Sequence, residues 1–255
     1  MKNKIVFWGS AALCFLVVLS SSAQGGLNDG LVGHWDFNEN SSNTLHDHSG
    51  NEHNGQIYGA TWTNGISGTT ALYFDGFNNP LPLDPETDDY VEIVGTINLH
   101  LFSGFTLSVW ACYSEYTDDA CIIGKHDGWP NGYVLGVVDN KFQFYLQGTR
   151  LYTDDMYSDG RWHHLAGTYD GISHQQNFYV DGELVRSQTI IYNASNSANI
   201  TIGKCSTAFD GKVDEARIYD RALSSTEIEQ LYVPEPATIL LLTLGGLALR
   251  RFRAS

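Results

Sequence analysis

The sequence predicts an all-β domain in which two antiparallel sheets pack face to face as a sandwich. Between Leu27 and Tyr232, short alternating or apolar runs are separated by Gly, Asp and Asn, and helical periodicity appears only at the end of that stretch. The chain has 255 residues, of which 26 are Gly and 13% are aromatic. A β-sandwich routinely uses about 200 residues, so one domain over residues 27–232 is expected.

Eleven runs are predicted to be strands. The clearest extends from Phe105 to Tyr113, where Leu107 and Val109 share one face and Ser108 and Trp110 share the other. The eleven are Leu31–Phe37, Ala71–Asp75, Tyr90–Val94, Phe105–Tyr113, Tyr133–Val138, Lys141–Leu146, Trp162–Tyr169, Gln176–Val180, Glu183–Thr189, Asn199–Ile202 and Lys212–Tyr219.

Turn and cap residues connect these runs. Asp139–Asn140 and Asp181–Gly182 each separate two runs and predict tight hairpins. Ser224 and Glu227 have the spacing of a capping box, with Ser224 as N-cap. One short helix is therefore expected near the end of the domain, finishing near Tyr232.

The N-terminus has the pattern of a secretory signal over residues 1–23. Lys2 and Lys4 precede an apolar run from Ile5 to Leu19, and small residues follow up to Ala23, where cleavage is expected. The protein is therefore predicted to be secreted.

The C-terminus, residues 233–255, has three parts in a fixed order. Pro234, Glu235 and Pro236 precede the apolar stretch Ala237–Leu249, and a cluster with Arg250 and Arg251 follows. Thirteen helical residues span about 20 Å, less than the roughly 30 Å of a bilayer core. The pattern resembles the PEP-CTERM sorting signal of bacteria that make exopolysaccharide. It implies transient membrane anchoring through this tail, cleavage by an exosortase-type protease, and a final place at the cell surface or in the extracellular matrix.

The charge balance excludes one class of partner. Five of the 14 basic residues and one of the 29 acidic residues lie in the terminal segments, which leaves 9 against 28 between Leu27 and Tyr232. Binding to a polyanion needs clusters of Lys and Arg that neutralise phosphates. Nucleic acid and anionic lipid surfaces are therefore not expected as partners.

Eight motifs, in this order, resemble a LamG-like jellyroll of the concanavalin A-like lectin/glucanase superfamily. That resemblance covers about 200 residues and implies a two-sheet jellyroll with a short helix near its end. The motifs are Gly30–Glu39, Asp47–Gly55, Leu72–Gly76, Asp89–Ile93, Phe105–Trp110, Trp162–Gly171, Tyr179–Gly182 and Gly211–Tyr219.

The superfamily includes hydrolases, yet this sequence predicts no enzyme. Retaining glycan hydrolysis needs two carboxylates about 5 Å apart, which the laminarinase-type branch places on one strand as Glu-x-Asp-x-Glu. No such run occurs here, and the adjacent Asp214 and Glu215 would point to opposite faces of a strand. His163 and His164 would also face opposite ways, which favours structural roles for both.

Calcium is the metal that the resemblance implies, because family members often carry a structural calcium between early and late strands. The positions carried over are Glu39, Asp75 and Asp214, and carboxylates are ligands that Ca²⁺ prefers. Alternatively, Asp75 caps a turn, and Asp214 accepts backbone N–H groups or pairs with Arg217. The His46, His48 and His53 cluster with Asp47 fits no standard transition-metal ligand set.

Three cysteines remain after removal of the signal. Cys112 and Cys121 bracket eight residues between two expected strands, so a disulfide closing a hairpin is predicted. Pairing of Cys205 with Cys112 or with Cys121 is the alternative.

A glycan site would need an aromatic platform at a loop or on a concave face. Trp129 lies in a polar turn with no obvious core role and is the predicted ligand contact, whereas Trp35, Trp110 and Trp162 fall in strand motifs and are expected in the core. The predicted function is a secreted, non-catalytic module that binds an extracellular polysaccharide or glycan. The alternatives are an adhesive envelope protein that binds other proteins and, third, a glycan hydrolase.

Overall fold

The fold is two antiparallel β-sheets and one short α-helix. It is seen in a computed structural model that describes residues 26–76, 88–94, 104–115, 119–126, 130–193, 197–205 and 207–233. The strands are β1 Leu31–Trp35, β2 Thr44–Leu45, β3 Gly55–Tyr58, β4 Thr61–Asn64, β5 Thr70–Asp75, β6 Tyr90–Ile93, β7 Gly104–Cys112, β8 Ala120–His126, β9 Gly132–Val138, β10 Lys141–Leu146, β11 Thr149–Tyr152, β12 His163–Asp170, β13 Gln175–Val180, β14 Glu183–Thr189, β15 Ile200–Ile202 and β16 Asp210–Tyr219, and the helix is α1 Ser225–Tyr232.

Each sheet has eight strands among the described residues. Sheet A has the order β14-β13-β12-β7-β16-β5-β4, and sheet B has the order β11-β10-β9-β8-β15-β6-β3-β2. In sheet A, β5 pairs with the first half of β16 and β1 with its second half. Strand β16 therefore joins both early strands to β7, the centre of the sheet.

The core lies between the sheets. Leu107 and Val109 of β7 are completely buried there, as their alternation predicts. The ring of Phe105 lies 6.1 Å from that of Phe144 in β10 of the opposite sheet. The inner faces are thus held together by burial of apolar area, the main favourable term in folding.

The predicted all-β sandwich is confirmed, and each of the eleven predicted strands is present with ends shifted by at most two residues. The list from sequence omits β2, β3, β4, β8 and β11. Four of these have only two to four residues, too few for a recognisable alternation. In β8 a bulge between Cys121 and Ile123 interrupts the period of two.

Helix α1 covers part of the outer face of sheet A. Ser224 is its N-cap, and the backbone N–H of Ser224 donates to Oε2 of Glu227 at 2.8 Å, which completes the predicted capping box. Ile228 and Leu231 pack with Tyr219 in a second apolar cluster outside the main core. No helix within the described ranges is long and apolar enough to cross a bilayer. The predicted signal (residues 1–23) and the sorting tail beyond Val233 lie outside those ranges.

The predicted disulfide between Cys112 and Cys121 is wrong. Cys121 is bonded to Cys205, with 5.5 Å between the Cα atoms, and Cys112 is a buried free thiol. The reason is topological, because β7 belongs to sheet A and β8 to sheet B. Cys112 and Cys121 therefore belong to strands of different sheets and not to the two strands of one hairpin.

Candidate ligand-binding site

A cavity of about 460 Å³ opens on the outer face of sheet A, where β1, β16 and the end of α1 meet. One wall is apolar and includes Trp110 and Leu231; the other is charged and includes His34, Glu215 and Arg217. We call it the sheet A cavity. Pockets that combine apolar walls with a few fixed polar groups are the usual form of a ligand site.

A β-bulge in β16 builds the charged wall. Val213 and Ala216 both face the core although they are three residues apart, an odd spacing that a regular strand does not allow. The register shifts between Asp214 and Arg217, and Glu215 has a φ of +51°. Bulges commonly redirect side chains beside functional sites. Here the bulge directs the side chains of Glu215 and Arg217 into the cavity.

One carboxylate holds this wall together. Oε2 of Glu215 lies 2.7 Å from a guanidinium nitrogen of Arg217 and 3.1 Å from Nε2 of His34. All three side chains are about one-fifth exposed. The three groups therefore have fixed positions but still reach the solvent that fills the cavity.

Trp110 is 6% exposed, so its predicted burial is confirmed, but it lies outside the main core between the sheets and beside the cavity. It belongs to the polar face of β7, and its ring lies 5.6 Å from Tyr232 of α1 in a stacked arrangement. Trp35 is completely buried in the core as predicted, whereas Trp162 is only partly buried and lies outside the core clusters.

His163 and His164 face opposite sides of β12, as predicted. His164 is completely buried, its Nε2 lies 2.8 Å from Oγ of Ser108, and burial lowers its pKa to about 3. For His163, burial opposes the charged form, but the carboxylates of Asp181 at 2.8 Å and Asp159 at 3.3 Å raise its pKa. The two imidazoles cannot share a ligand and have structural partners instead.

The strand register separates two of the predicted calcium ligands. Asp75 lies opposite Asp210, and Asp214 is four residues further along β16, so about 13 Å separates the two positions. One ion cannot contact both side chains. Glu39 is the predicted ligand whose surroundings still fit a cation.

Asp214 is instead held by donors, which was the alternative expectation. It is completely buried. Oδ2 accepts hydrogen bonds from the backbone N–H of Ile66 at 3.0 Å and from the hydroxyl of Thr69 at 2.9 Å. Oδ1 accepts one from the backbone N–H of Glu215 at 2.8 Å. Burial nevertheless raises the pKa of Asp214 to about 7.

Three side chains whose spacing would allow them to hold a metal ion lie beside the cavity. Asp36, Glu39 and His48 each place one ligand atom within 4.8 Å of the others, and Asp36 also lines the cavity. Asp47 has a different role, because it accepts backbone hydrogen bonds from His34 at 2.9 Å and His53 at 2.9 Å and so organises the loop. Trp129, the predicted glycan contact, lies outside the described residues.

The sequence did not predict that four residues would together line the sheet A cavity: His34, Trp110, Glu215 and Arg217. The odd spacing of Val213 and Ala216 is the signal that could have revealed the bulge.

Comparison with protein families now places the fold. Residues 85–229, more than half of the chain, match the model of the Laminin_G_3 family, described as the concanavalin A-like lectin/glucanases superfamily. The chain belongs to this family. A comparison with curated proteins gave no match.

Solved structures show the same fold at low sequence identity. Domain 4 of AbnA, a GH43 extracellular arabinanase from Geobacillus stearothermophilus solved with arabinotriose, is 19% identical with a TM-score of 0.59, and the match covers 80% of this chain and 98% of that domain. The binding domain of Paraclostridial Mosquitocidal Protein 1 is 19% identical with a TM-score of 0.63, covering 81% of this chain and 52% of that one. The binding domain of botulinum neurotoxin DC, solved with rat synaptotagmin II, is 15% identical with a TM-score of 0.64 over 81% and 52%. This chain thus spans about half the length of the two toxin domains.

Proposed function

We propose that the protein is a secreted, non-catalytic module that binds an extracellular polysaccharide in the sheet A cavity. The observation that carries the proposal is a cavity in which an apolar wall, which includes Leu231 and the largely buried Trp110, faces a fixed charged wall at His34, Glu215 and Arg217. Membership of a lectin and glucanase superfamily and the arabinotriose complex of the AbnA domain support this ligand class.

The chemistry of the two walls suits a sugar. An apolar wall can cover the C–H face of a pyranose or furanose ring, while carboxylate, guanidinium and imidazole groups exchange hydrogen bonds with hydroxyls. The domain also carries a large acidic excess. Like charges repel, so a neutral polysaccharide is favoured over an acidic one.

The carboxylate in the cavity is placed to bind and not to react. Oε2 of Glu215 is already engaged by Arg217 and His34, which fixes this carboxylate as part of the cavity wall. Retaining hydrolysis needs two carboxylates about 5 Å apart, and the Glu-x-Asp-x-Glu run that supplies them in the laminarinase-type branch does not occur in this sequence. We therefore propose that the protein binds glycan without cleaving it.

The ends of the chain complete the proposal. The signal pattern of residues 1–23 and the tail with Pro234, Glu235, Pro236, Arg250 and Arg251 favour export, followed by processing by an exosortase-type protease. The module would then act at the cell surface or in the matrix.

The experiment is binding of the purified chain to a panel of neutral and acidic polysaccharides, with and without a chelator. We expect the chain to be retained on a neutral polysaccharide. Arg217→Gln should weaken this retention, and the control Arg161→Gln should leave it unchanged. Arg161 is a suitable control because its side chain is 76% exposed, it pairs with Asp159, and neither residue lines the cavity. Loss of binding in chelator would show that a metal ion supports binding, and separate addition of Ca²⁺ or Zn²⁺ would identify the ion.

Two other results would point to the alternatives. If no polysaccharide is retained and pulldown from the matrix recovers protein through the cavity, the module is an adhesive protein. If the panel releases reducing sugar, the protein is a hydrolase.

A further inference from the structure

We infer that Asp36, Glu39 and His48 form a binding site for a divalent transition metal of the Zn²⁺ type. Their ligand atoms lie within 4.8 Å of one another. They come from two places in the chain, the segment after β1 and the loop between β2 and β3. The inference does not rest on the proposed glycan function.

The backbone brings His48 to this place without help from its imidazole. The N–H of His48 donates to the carbonyl of His34 at 2.7 Å. The neighbouring carboxylate of Asp47 accepts from the N–H of His34 at 2.9 Å and from the N–H of Ser49 at 2.8 Å. The loop is therefore fixed against β1 on both sides of His48, and the imidazole lies beside Asp36 with Nε2 3.4 Å from Oδ1.

Glu39 supplies the second, independent observation. Its side chain is only 11% exposed, and Oε1 accepts from the N–H of His46 at 2.6 Å. Oε2 is sealed from solvent and has no hydrogen-bond partner among the described residues. Buried carboxylate oxygens almost always have a donor or a cation, because leaving one unsatisfied costs several kcal/mol.

An ion pair between Asp36 and His48 does not account for this oxygen. The imidazole of His48 is half exposed, and an exposed pair contributes little to stability. Such a pair also leaves Oε2 of Glu39 without a partner. A cation held by the three side chains would give the Glu39 carboxylate a further partner and would balance two carboxylates with two positive charges.

The ligand set favours zinc over calcium. Calcium takes oxygen ligands, whereas Zn²⁺ binds imidazole nitrogen and carboxylate oxygen together at about 2.0–2.2 Å in tetrahedral geometry. Two ligands of a tetrahedral zinc are then about 3.4 Å apart, which is the separation of His48 Nε2 and Asp36 Oδ1. Three protein ligands leave the fourth position for water or another ligand.

The test is titration of the full chain with Zn²⁺ by calorimetry, after dialysis against chelator. One zinc per chain is expected, with at least a tenfold loss of affinity in His48→Ala and in Glu39→Gln. The matched control is His46→Ala, an equally exposed histidine on the same loop that contacts the other oxygen of Glu39. Its affinity should stay within about threefold of the unmodified chain.

Each other outcome overturns the inference. Wild-type affinity in His48→Ala means that His48 is not a ligand, and equal losses in His46→Ala and His48→Ala mean nonspecific binding by loop histidines. Tighter binding of Ca²⁺ than Zn²⁺ means that the ion class is wrong. Circular dichroism of every variant verifies folding, and Glu39→Gln, which keeps the shape of the side chain, provides the measurement if His48→Ala does not fold.

Discussion

Two charged groups of this domain are built in opposite ways. Lys204 and Asp88 form an ion pair at 2.7 Å in which both side chains are completely buried. Glu215, Arg217 and His34 form a cluster at similar distances that still reaches a 460 Å³ cavity. The first group is closed to any ligand and the second is open to one.

The first group has a structural role, whereas the second lies where a ligand entering the cavity would meet it. A buried pair gives up its hydration permanently, so its members depend on each other. A cluster at a cavity keeps its hydration until a ligand replaces the water. We therefore expect substitutions in the closed pair to change the free energy of unfolding, and substitutions in the open cluster to change binding.

The largest effect is expected for Lys204→Ala. This substitution removes the ammonium group 2.7 Å from the buried carboxylate of Asp88, and breaking a buried ion pair typically costs about 3–5 kcal/mol. Urea unfolding at pH 7 measures this loss. The double variant Lys204→Met with Asp88→Leu should recover most of it, because an apolar pair carries no desolvation cost. If Lys204→Ala is as stable as the unmodified chain, the Lys204–Asp88 pair is not shielded from water.

The disulfide lies beside this pair and gives the next largest effect. Cys205→Ser opens a crosslink between residues 84 positions apart, and loss of such a bond typically costs about 2–4 kcal/mol. Cys112→Ser should cost less than about 1 kcal/mol, because the Cys112 thiol makes one hydrogen bond, to the carbonyl of Gly160 at 3.3 Å, and a hydroxyl can replace it. If urea unfolding shows a larger loss of stability for Cys112→Ser than for Cys205→Ser, the disulfide involves Cys112 instead.

Acidification tests the histidine that underlies the open cavity. The folded state keeps His164 neutral with a pKa of about 3, whereas an unfolded histidine titrates near 6.5. The contribution of His164 to the free energy of unfolding is therefore fully present above pH 6.5 and decreases as the pH falls. At pH 5 the loss is about 2 kcal/mol. The pKa of His163 is raised, so its contribution is present at low pH and is lost as pH rises.

The two histidines therefore predict opposite changes in the pH slope. His164→Asn should flatten the loss of unfolding free energy between pH 7 and pH 5, and His163→Gln should steepen it. Urea unfolding at the two pH values gives both slopes. Equal slopes in all three proteins would show that the two environments do not differ.

The sequence predicted the sandwich because its evidence is periodic. Alternation in β7 and the turn residues Asp139–Asn140 and Asp181–Gly182 act locally, and each hairpin forms where predicted. The candidate site was harder to predict from the sequence, because its residues come together only through contacts between segments that are distant in the chain. The β16 bulge breaks the alternation at Glu215, and the pairing of Cys121 with Cys205 requires knowing that β7 and β8 lie in different sheets.

The smallest effect on stability is expected in the open cluster. Arg217→Gln removes a partly exposed ion pair, which contributes about 0–1 kcal/mol, and Oε2 of Glu215 keeps its contact with His34 at 3.1 Å. The same substitution removes a charged hydrogen-bond donor from the cavity wall, worth about 1.5–3 kcal/mol to a bound ligand. Affinity for the retained polysaccharide should therefore fall about tenfold or more in isothermal titration, at nearly constant stability. If Arg217→Gln lowers the free energy of unfolding but leaves the affinity unchanged, Arg217 has a structural role like that of the Lys204–Asp88 pair. The sheet A cavity would then not be the binding site.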